Sequence, residues 1–256
     1  MTTMNPRVAQ RRRDVSEDRA RRRLRWILGI IVMVAAVAVG FWLIRSPILS
    51  VSSIEISGND RSDPSRALNA LGVIVGTPTI DVDGGALERE IEADPWVASA
   101  EVDVRWPGAI TIRVTEQVPV APARAGTSWV LMSSESTVIG PVPSPTEDAL
   151  VIDIDLGGVE PGAIVEDQMV RGALVFASSL RPDLATGAVV YLEGGGLYAT
   201  IRGHTVRLGR PVDLDTKATV LAALIDEGIA EGATIDLIAP LRPAVTNPQP
   251  QVEGEE

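Results

Sequence analysis

Hydrophobic positions along this chain follow two regimes that meet near residue 45. From Trp26 to Ile44 nineteen residues pass without a charged side chain. As a helix rising ~1.5 Å per residue they would reach about 28 Å, close to the ~30 Å of a bilayer's hydrocarbon core. Trp26 and Trp42 stand near the two ends, where indole rings favour the membrane interface, and Arg25 and Arg45 close the run. The pattern predicts a single transmembrane helix over 26–44. Beyond it the apolar positions become short and periodic. Val51, Ile54 and Ile56 make a strand that stops at the turn cluster Gly58-Asn59-Asp60. Asp63 is placed to cap a helix that Pro64 opens, Ala67, Leu68 and Leu71 share its face, and Gly72 ends it. A second helix starts near Asp83, carries Leu87 and Ile91 on one face and stops before Pro95. Val97, Ala100, Val102 and Val104 then line a strand, Pro107-Gly108 reverses the chain, and Ile110, Ile112 and Val114 alternate with Thr111, Arg113 and Thr115 on the way back. Trp96 and Trp106 bracket the outgoing strand and are expected to pack into the core. The order is β-α-α-β-β, a small sheet with both helices on one face. Pro119 cannot donate a ladder hydrogen bond and marks its end.

Past Ala121 the signals are short strands and turns. Ser128 to Leu131, Leu150 to Ile154, Val189 to Glu193, Leu197 to Arg202 and Thr205 to Leu208 read as strands, with Gly194-Gly195-Gly196 as a hairpin turn between the third and fourth. One helix lies among them, with Met169, Ala173 and Phe176 along one face. Only 4% of residues are aromatic, so the core is built from Val, Ile, Leu and Ala. The segments expected are a cytoplasmic basic tail (1–25), a transmembrane helix (26–44), a first outer domain (46–120), a mostly β second domain (121–245) and a disordered acidic tail (246–256). The fold class is α+β.

Charge gives the membrane reading a direction. The net charge of −11 divides at residue 25 into +6 on the arginine-rich tail and −17 on the remainder. Arginines concentrated before a span hold that side in the cytoplasm, so residues 46–256 belong outside. A cleaved signal peptide fits poorly, because Ala36-Val37-Ala38 lies mid-span with Val39 to Ile44 still apolar behind it. A basic arm for nucleic acid is the other use of such arginines, but the span beside them already explains the cluster. The chain has no cysteine, which removes disulfides, thiolate catalysis and Cys-ligated zinc together.

Several short motifs together carry a resemblance: Val51-x-x-Ile-x-Ile-x-Gly-Asn59, Val82-Asp83, Pro95-Trp-Val-x-x-Ala-x-Val102, Trp106-Pro107 and Ile112-x-Val-x-Glu-x-x-Pro-Val-Ala121. This set resembles the POTRA domain of the FtsQ/DivIB family of bacterial cell division proteins, and a cytoplasmic tail, one span and an outer POTRA domain is that family's layout. The pattern departs at Gln117, where the family commonly has arginine, and at Val104, where a basic residue is frequent. Leu208-Gly209 followed by Lys217 resembles the family's second signature, with the lysine opening the last helix, and Ile235 to Pro243 looks like its closing strand. The resemblance implies a POTRA domain over 46–120 and a single-pass protein of the cytoplasmic membrane at the division septum. It also implies divisome partners, namely FtsB/DivIC-like and FtsL-like bitopic proteins.

Candidate chemistry is sparse. His204, the one histidine, follows a glycine and reads as a solvent-facing turn residue. Asp153 with Asp155 and Asp213 with Asp215 are Asp-x-Asp pairs of the kind that solvated strand faces and helix caps often carry, without the spacing of a calcium loop. No nucleophile elbow or P-loop is present, and Gly194 to Gly196 is followed by no helix start. The expectation is therefore a binding protein with no catalytic residue, cofactor, metal or small-molecule substrate. The competing classes are a membrane-anchored cell-wall enzyme and another POTRA-containing envelope binding protein. "IDLIAPLRPAV" is the last strand signal, so no later strand covers it, and a free sheet edge is a template for a partner's strand. Pro240 and Pro243 suit an edge. The resemblance implies that this strand and the helix before it receive the FtsB-like partner, which places the contact on Ile238, Ala239, Leu241, Arg242, Ala244 and Val245.

Overall fold

The computed structural model describes residues 25–43 and 45–247. The basic tail up to Leu24, Ile44 and the acidic end from Pro248 lie outside the described residues. Helix α1 (Arg25–Leu43) covers Trp26 to Leu43 of the uncharged run, and none of it is buried against protein. A helix apolar on every side and packed on nothing is a lipid-facing helix.

The chain divides into two compact units. The first holds the described chain up to Glu55 together with Leu68–Gly85 and Val102–Ile112; the second holds Ile56–Ala67, Ala86–Glu101 and the chain from Arg113 onward. In chain order the elements after α1 are β1 (Ser53–Ser57), α2 (Pro64–Ala70), α3 (Gly84–Glu92), β2 (Val97–Arg105) and β3 (Ala109–Glu116). That is the expected β-α-α-β-β order, and the three strands form a sheet in the order β1-β3-β2. Ile110, Ile112 and Val114 are buried while Arg113 and Thr115 face water, so the alternation read from the sequence is the alternation in β3. Leu87 and Ile91 are buried on α3, as are Ala67 and Leu68 on α2. Leu71 is not, because α2 ends at Ala70 and the leucine falls in the turn beyond it.

The two tryptophans also depart from expectation. Trp106 is 54% exposed, since it sits in the turn after β2 rather than on a core face. Trp96 is half-buried, and its ring is covered by the Arg61 guanidinium at 4.9 Å. At the end of β3, Glu116 Oε1 accepts from Arg61 N, Ser62 N and Ser62 Oγ, each at 2.7 Å. Partial burial pushes this carboxyl up, but the bonds from Ser62, Arg61 and Asp60 outweigh it and hold the group below the ordinary carboxylate range.

The second unit contains a nine-stranded mixed sheet in the order β12-β11-β10-β9-β8-β7-β4-β5-β6. Its strands are β4 (Pro119–Ala125), β5 (Ser128–Ser133), β6 (Val138–Val142), β7 (Val151–Asp155), β8 (Val189–Glu193), β9 (Gly196–Ile201), β10 (His204–Gly209), β11 (Thr234–Asp236) and β12 (Ala244–Thr246). The two parallel joins that helices cross are made by α4 (Gln168–Ser179) with the short α5 (Pro182–Ala185) between β7 and β8, and by α6 (Leu214–Glu227) between β10 and β11. Asp167 caps α4 by accepting from Met169 N at 2.7 Å and Val170 N at 3.3 Å. Ala173, Leu174 and Phe176 on α4 and Leu214, Ala218 and Leu221 on α6 join Ile152, Val190, Leu197, Val206 and Ile235 of the sheet in one core. Gly194 and Gly195, at φ 56° and 79°, make the two-residue turn between β8 and β9. Pro119 does not merely end the first sheet's chain segment. It is the first residue of β4, a strand position where a missing N–H is tolerated.

Candidate partner-binding site

The open end of the nine-stranded sheet is built on β10. β11 pairs with it in parallel, Val206 opposite Ile235, and β12 pairs with β11 in antiparallel register, Val245 opposite Ile235. The stretch read as one closing strand is thus a short strand, a turn over 237–243 and a second short strand. Pro240 and Pro243 are the cause. They break a continuous apolar run and fall in the turn, so neither interrupts a ladder. At this end of the sheet the edge strand among the described residues is β12, not 235–243, and β6 stands at the other end.

The six residues expected to meet a partner divide between these pieces. Ile238, Ala239, Leu241 and Arg242 lie on the turn and Ala244 and Val245 on β12, and all six are exposed. Leu241 is 89% exposed, and Ile238 and Val245 are exposed within four residues of it, so the apolar side chains here are grouped rather than scattered singly. Four residues earlier Leu237 is 0% exposed, its N–H donating to Arg207 O at 2.9 Å, so the turn is anchored at its root and apolar at its tip. Asp236 Oδ1 accepts from Ile238 N at 2.9 Å, and Asp236 Oδ2 pairs with Arg207 Nη1 at 3.3 Å. Arg242 N closes the turn onto Ala239 O at 2.9 Å.

Two supporting residues give the Leu208-Gly209 and Lys217 signature its physical meaning. Gly209 has φ 71°, and a Cβ there would lie 2.9 Å from Ile238 Cγ1, so only glycine lets the root of the turn close over the end of β10. Lys217 is 2% exposed, and its Nζ donates to Leu208 O at 2.7 Å and Arg210 O at 3.2 Å. It sits in the first turns of α6 without opening it, since the helix begins at Leu214. Burial lowers the pKa of this ammonium, with Asp213 and Asp236 pulling the other way. A recess of about 500 Å³ bordered by Gly195, Gly209, Arg210, Lys217 and Ile238 opens beside it.

Elsewhere the candidate chemistry resolves into structure. His204 is not a turn residue facing solvent: it begins β10 opposite Ile201 and is buried, 7% exposed, because the turn ends one residue earlier at Gly203. Asp153 pairs with Arg124 at 3.2 Å, and Asp155 accepts from Gly126 N at 2.8 Å and Gly157 N at 3.0 Å, which holds its carboxyl low. No group of three or more His, Asp or Glu side chains among the described residues is placed to hold a metal ion.

Comparison with known proteins agrees with the geometry. Residues 49–117 match the family model described as POTRA domain, FtsQ-type. The cell division protein FtsQ of Myxococcus fulvus is 30% identical over 203 residues, which is 77% of this chain and 71% of that protein. This chain belongs to the FtsQ family of cell division proteins. Two further FtsQ relatives match, from Mycolicibacterium smegmatis at 31% identity (84% of this chain, 62% of that protein) and from Corynebacterium glutamicum at 33% (53% and 61%). The chain spans less than two thirds of the length of these two. As an FtsQ-family member with one lipid-facing helix among the described residues, the chain is a membrane-anchored, bitopic division protein of α+β fold.

Proposed function

We propose that this FtsQ-family protein is a non-enzymatic scaffold of the division site. It binds FtsB/DivIC-like and FtsL-like bitopic proteins on the outer side of the cytoplasmic membrane and so helps assemble the septal cell-wall machinery. Its basic tail lies in the cytoplasm, and a POTRA domain over 46–120 and a second domain over 121–245 lie outside. In this reading it uses no catalytic residue, cofactor or metal. The observation that carries the reading is the free outer edge of β12, which exposes Val245, beside a turn that exposes Ile238 and Leu241. Groups of β12 that do not pair with β11 are available to a strand from the partner. Leu241 and Val245 supply apolar anchoring, and Arg242 supplies a charge for an acidic partner residue.

The test is the double variant Leu241→Lys with Arg242→Glu in the full-length chain, carried through co-purification with FtsB-like and FtsL-like proteins. Both positions are exposed, so folding should be retained while capture is lost. A folded double variant that captures its partner with parental affinity would place docking elsewhere.

A further inference from the structure

Helix α1 is fastened to the rest of its own compact unit. The Arg45 guanidinium lies over the Phe41 ring at 4.7 Å, and its Nη2 donates to Asp81 Oδ1 at 3.3 Å. Asp81 closes a short 3-10 turn, Thr79–Asp81, within a knot of three chain segments. Ser50 bridges to Pro78, Val51 N donates to Thr77 O at 2.8 Å, and Gly76 N donates to Val51 O at 2.8 Å. Thr79 Oγ1 donates to Pro107 O at 3.0 Å, and Ser52 N donates to Gly108 O at 2.7 Å. Gly108 is required there, because a Cβ would collide with the Ser50 carbonyl. Segments 45–52, 74–81 and 106–108 therefore hold one another in place.

Each of these segments exposes large apolar side chains: Ile48 on the first, Ile74, Val75 and Ile80 on the second, and Trp106 on the third. Every one of the five lies within two residues of a bond named above. Scattered single apolar residues need no explanation, but five gathered on one knot do. Their place in the chain indicates what covers them. Ile48 is five chain steps beyond Leu43, a reach of about 18 Å at full extension, and Asp81 is one guanidinium away from the end of α1. The apolar phase that surrounds α1 thus ends within reach of the knot.

We propose that this knot is seated in the interfacial zone of the bilayer where α1 emerges, with lipid as its occupant. Trp106 suits that zone, having an apolar ring and an indole N–H for the headgroup side. Arg45 and Arg105 are each held by an aspartate, Arg105 by Asp103 at 2.7 Å, so apolar burial rather than attraction to anionic lipid supplies the contact. Seating would fix the orientation of this unit on the membrane, which a free linker after α1 would not do. The inference needs only that α1 spans, and does not depend on which proteins bind the sheet edge.

The chain has no cysteine, so single cysteines at Val75 and Ile80, on separate turns of the same loop, can carry an environment-sensitive fluorophore. The labelled full-length chain is reconstituted alone in vesicles of phosphatidylcholine, with or without phosphatidylglycerol, and with bromine on the upper acyl chain in a parallel set. The expected result is a blue-shifted emission, loss of quenching by aqueous iodide, and quenching by brominated lipid, all unchanged by phosphatidylglycerol. Labels that emit as in water and stay open to iodide in every vesicle would overturn the proposal. So would shielding that arises only when another division protein is added, since the knot would then be a protein-binding face. A dependence on phosphatidylglycerol would also contradict it.

Discussion

Leu237 and Leu241 are the same residue four positions apart, and truncating each to alanine should have opposite consequences. Leu237 is wholly buried in the main core and roots the turn, whereas Leu241 is 89% exposed at its tip. Buried Leu→Ala changes cost roughly 2–5 kcal/mol. Leu237 sits where the core meets a surface turn that can partly relax, so about 3 kcal/mol is expected. For a folded region of about 200 residues, 1 kcal/mol moves Tm by ~2–4 °C, which makes the drop roughly 6–12 °C. Leu241→Ala removes almost no buried surface and should stay within about 0.5 kcal/mol of the parent, a shift of ~1–2 °C. Its cost should instead appear in partner binding. Burying a leucine contributes ~1.5–3 kcal/mol, so capture should weaken roughly 10- to 100-fold. Thermal unfolding of the full chain in detergent by circular dichroism, with a binding titration beside it, reads both. If Leu241→Ala melts as low as Leu237→Ala, the tip is packed on its own domain and the reasoning fails.

Three further outcomes follow from named contacts. Glu116 has its folded pKa lowered, so its stabilising contribution is complete above the ordinary carboxylate pKa and is lost as pH falls through the lower folded value; Glu116→Gln should therefore differ from the parent near neutral pH and converge with it in acid, and a gap that persists at the acid end would refute the assignment. Gly209→Ala meets both a left-handed φ and Ile238 at 2.9 Å, and should cost more than Gly194→Ala, which is left-handed but faces open space and should lose only about 1–2 kcal/mol of backbone preference; equal melting points would show that the Ile238 contact does not matter. Trp106→Ala should leave the melting point within a degree or two because the ring is 54% exposed and takes no part in the protein core, while Trp96→Ala should lower it measurably through the lost half-burial and Arg61 stacking, worth about 0.5–1 kcal/mol for the cation–π part.

Local chemistry that needs no distant partner was legible in the sequence. The Ile110, Ile112, Val114 alternation, the Met169, Ala173, Phe176 helix face and the Gly194-Gly195 turn each depend on residues a few positions apart, and all three lie where the pattern put them. β4 was not legible. Pro119 and Pro122 argue against a strand, yet β4 lies between β5 and β7, where irregular register on both sides accommodates it. β6 was hidden likewise by Gly140-Pro141. At the candidate site, exposed apolar character was visible in "LIAPLRPAV", but the strand–turn–strand shape was not, because periodicity cannot show that an apolar run folds back on itself. The supporting role of Lys217 could not be read either. A lone lysine in a helical stretch ordinarily faces water, and only the fold brings the carbonyls of Leu208 and Arg210 to it.

The central claim is that β12 receives a partner strand edge to edge. The most direct test puts cysteine at Val245, in a chain that has none of its own, and scans single cysteines through the outer segment of the FtsB-like partner under mild oxidation. Strand addition predicts cross-links at alternate partner positions, with period two, that vanish when Leu241→Lys and Arg242→Glu are introduced. Cross-links recurring every three to four positions, or none at Val245 while capture persists, would contradict it.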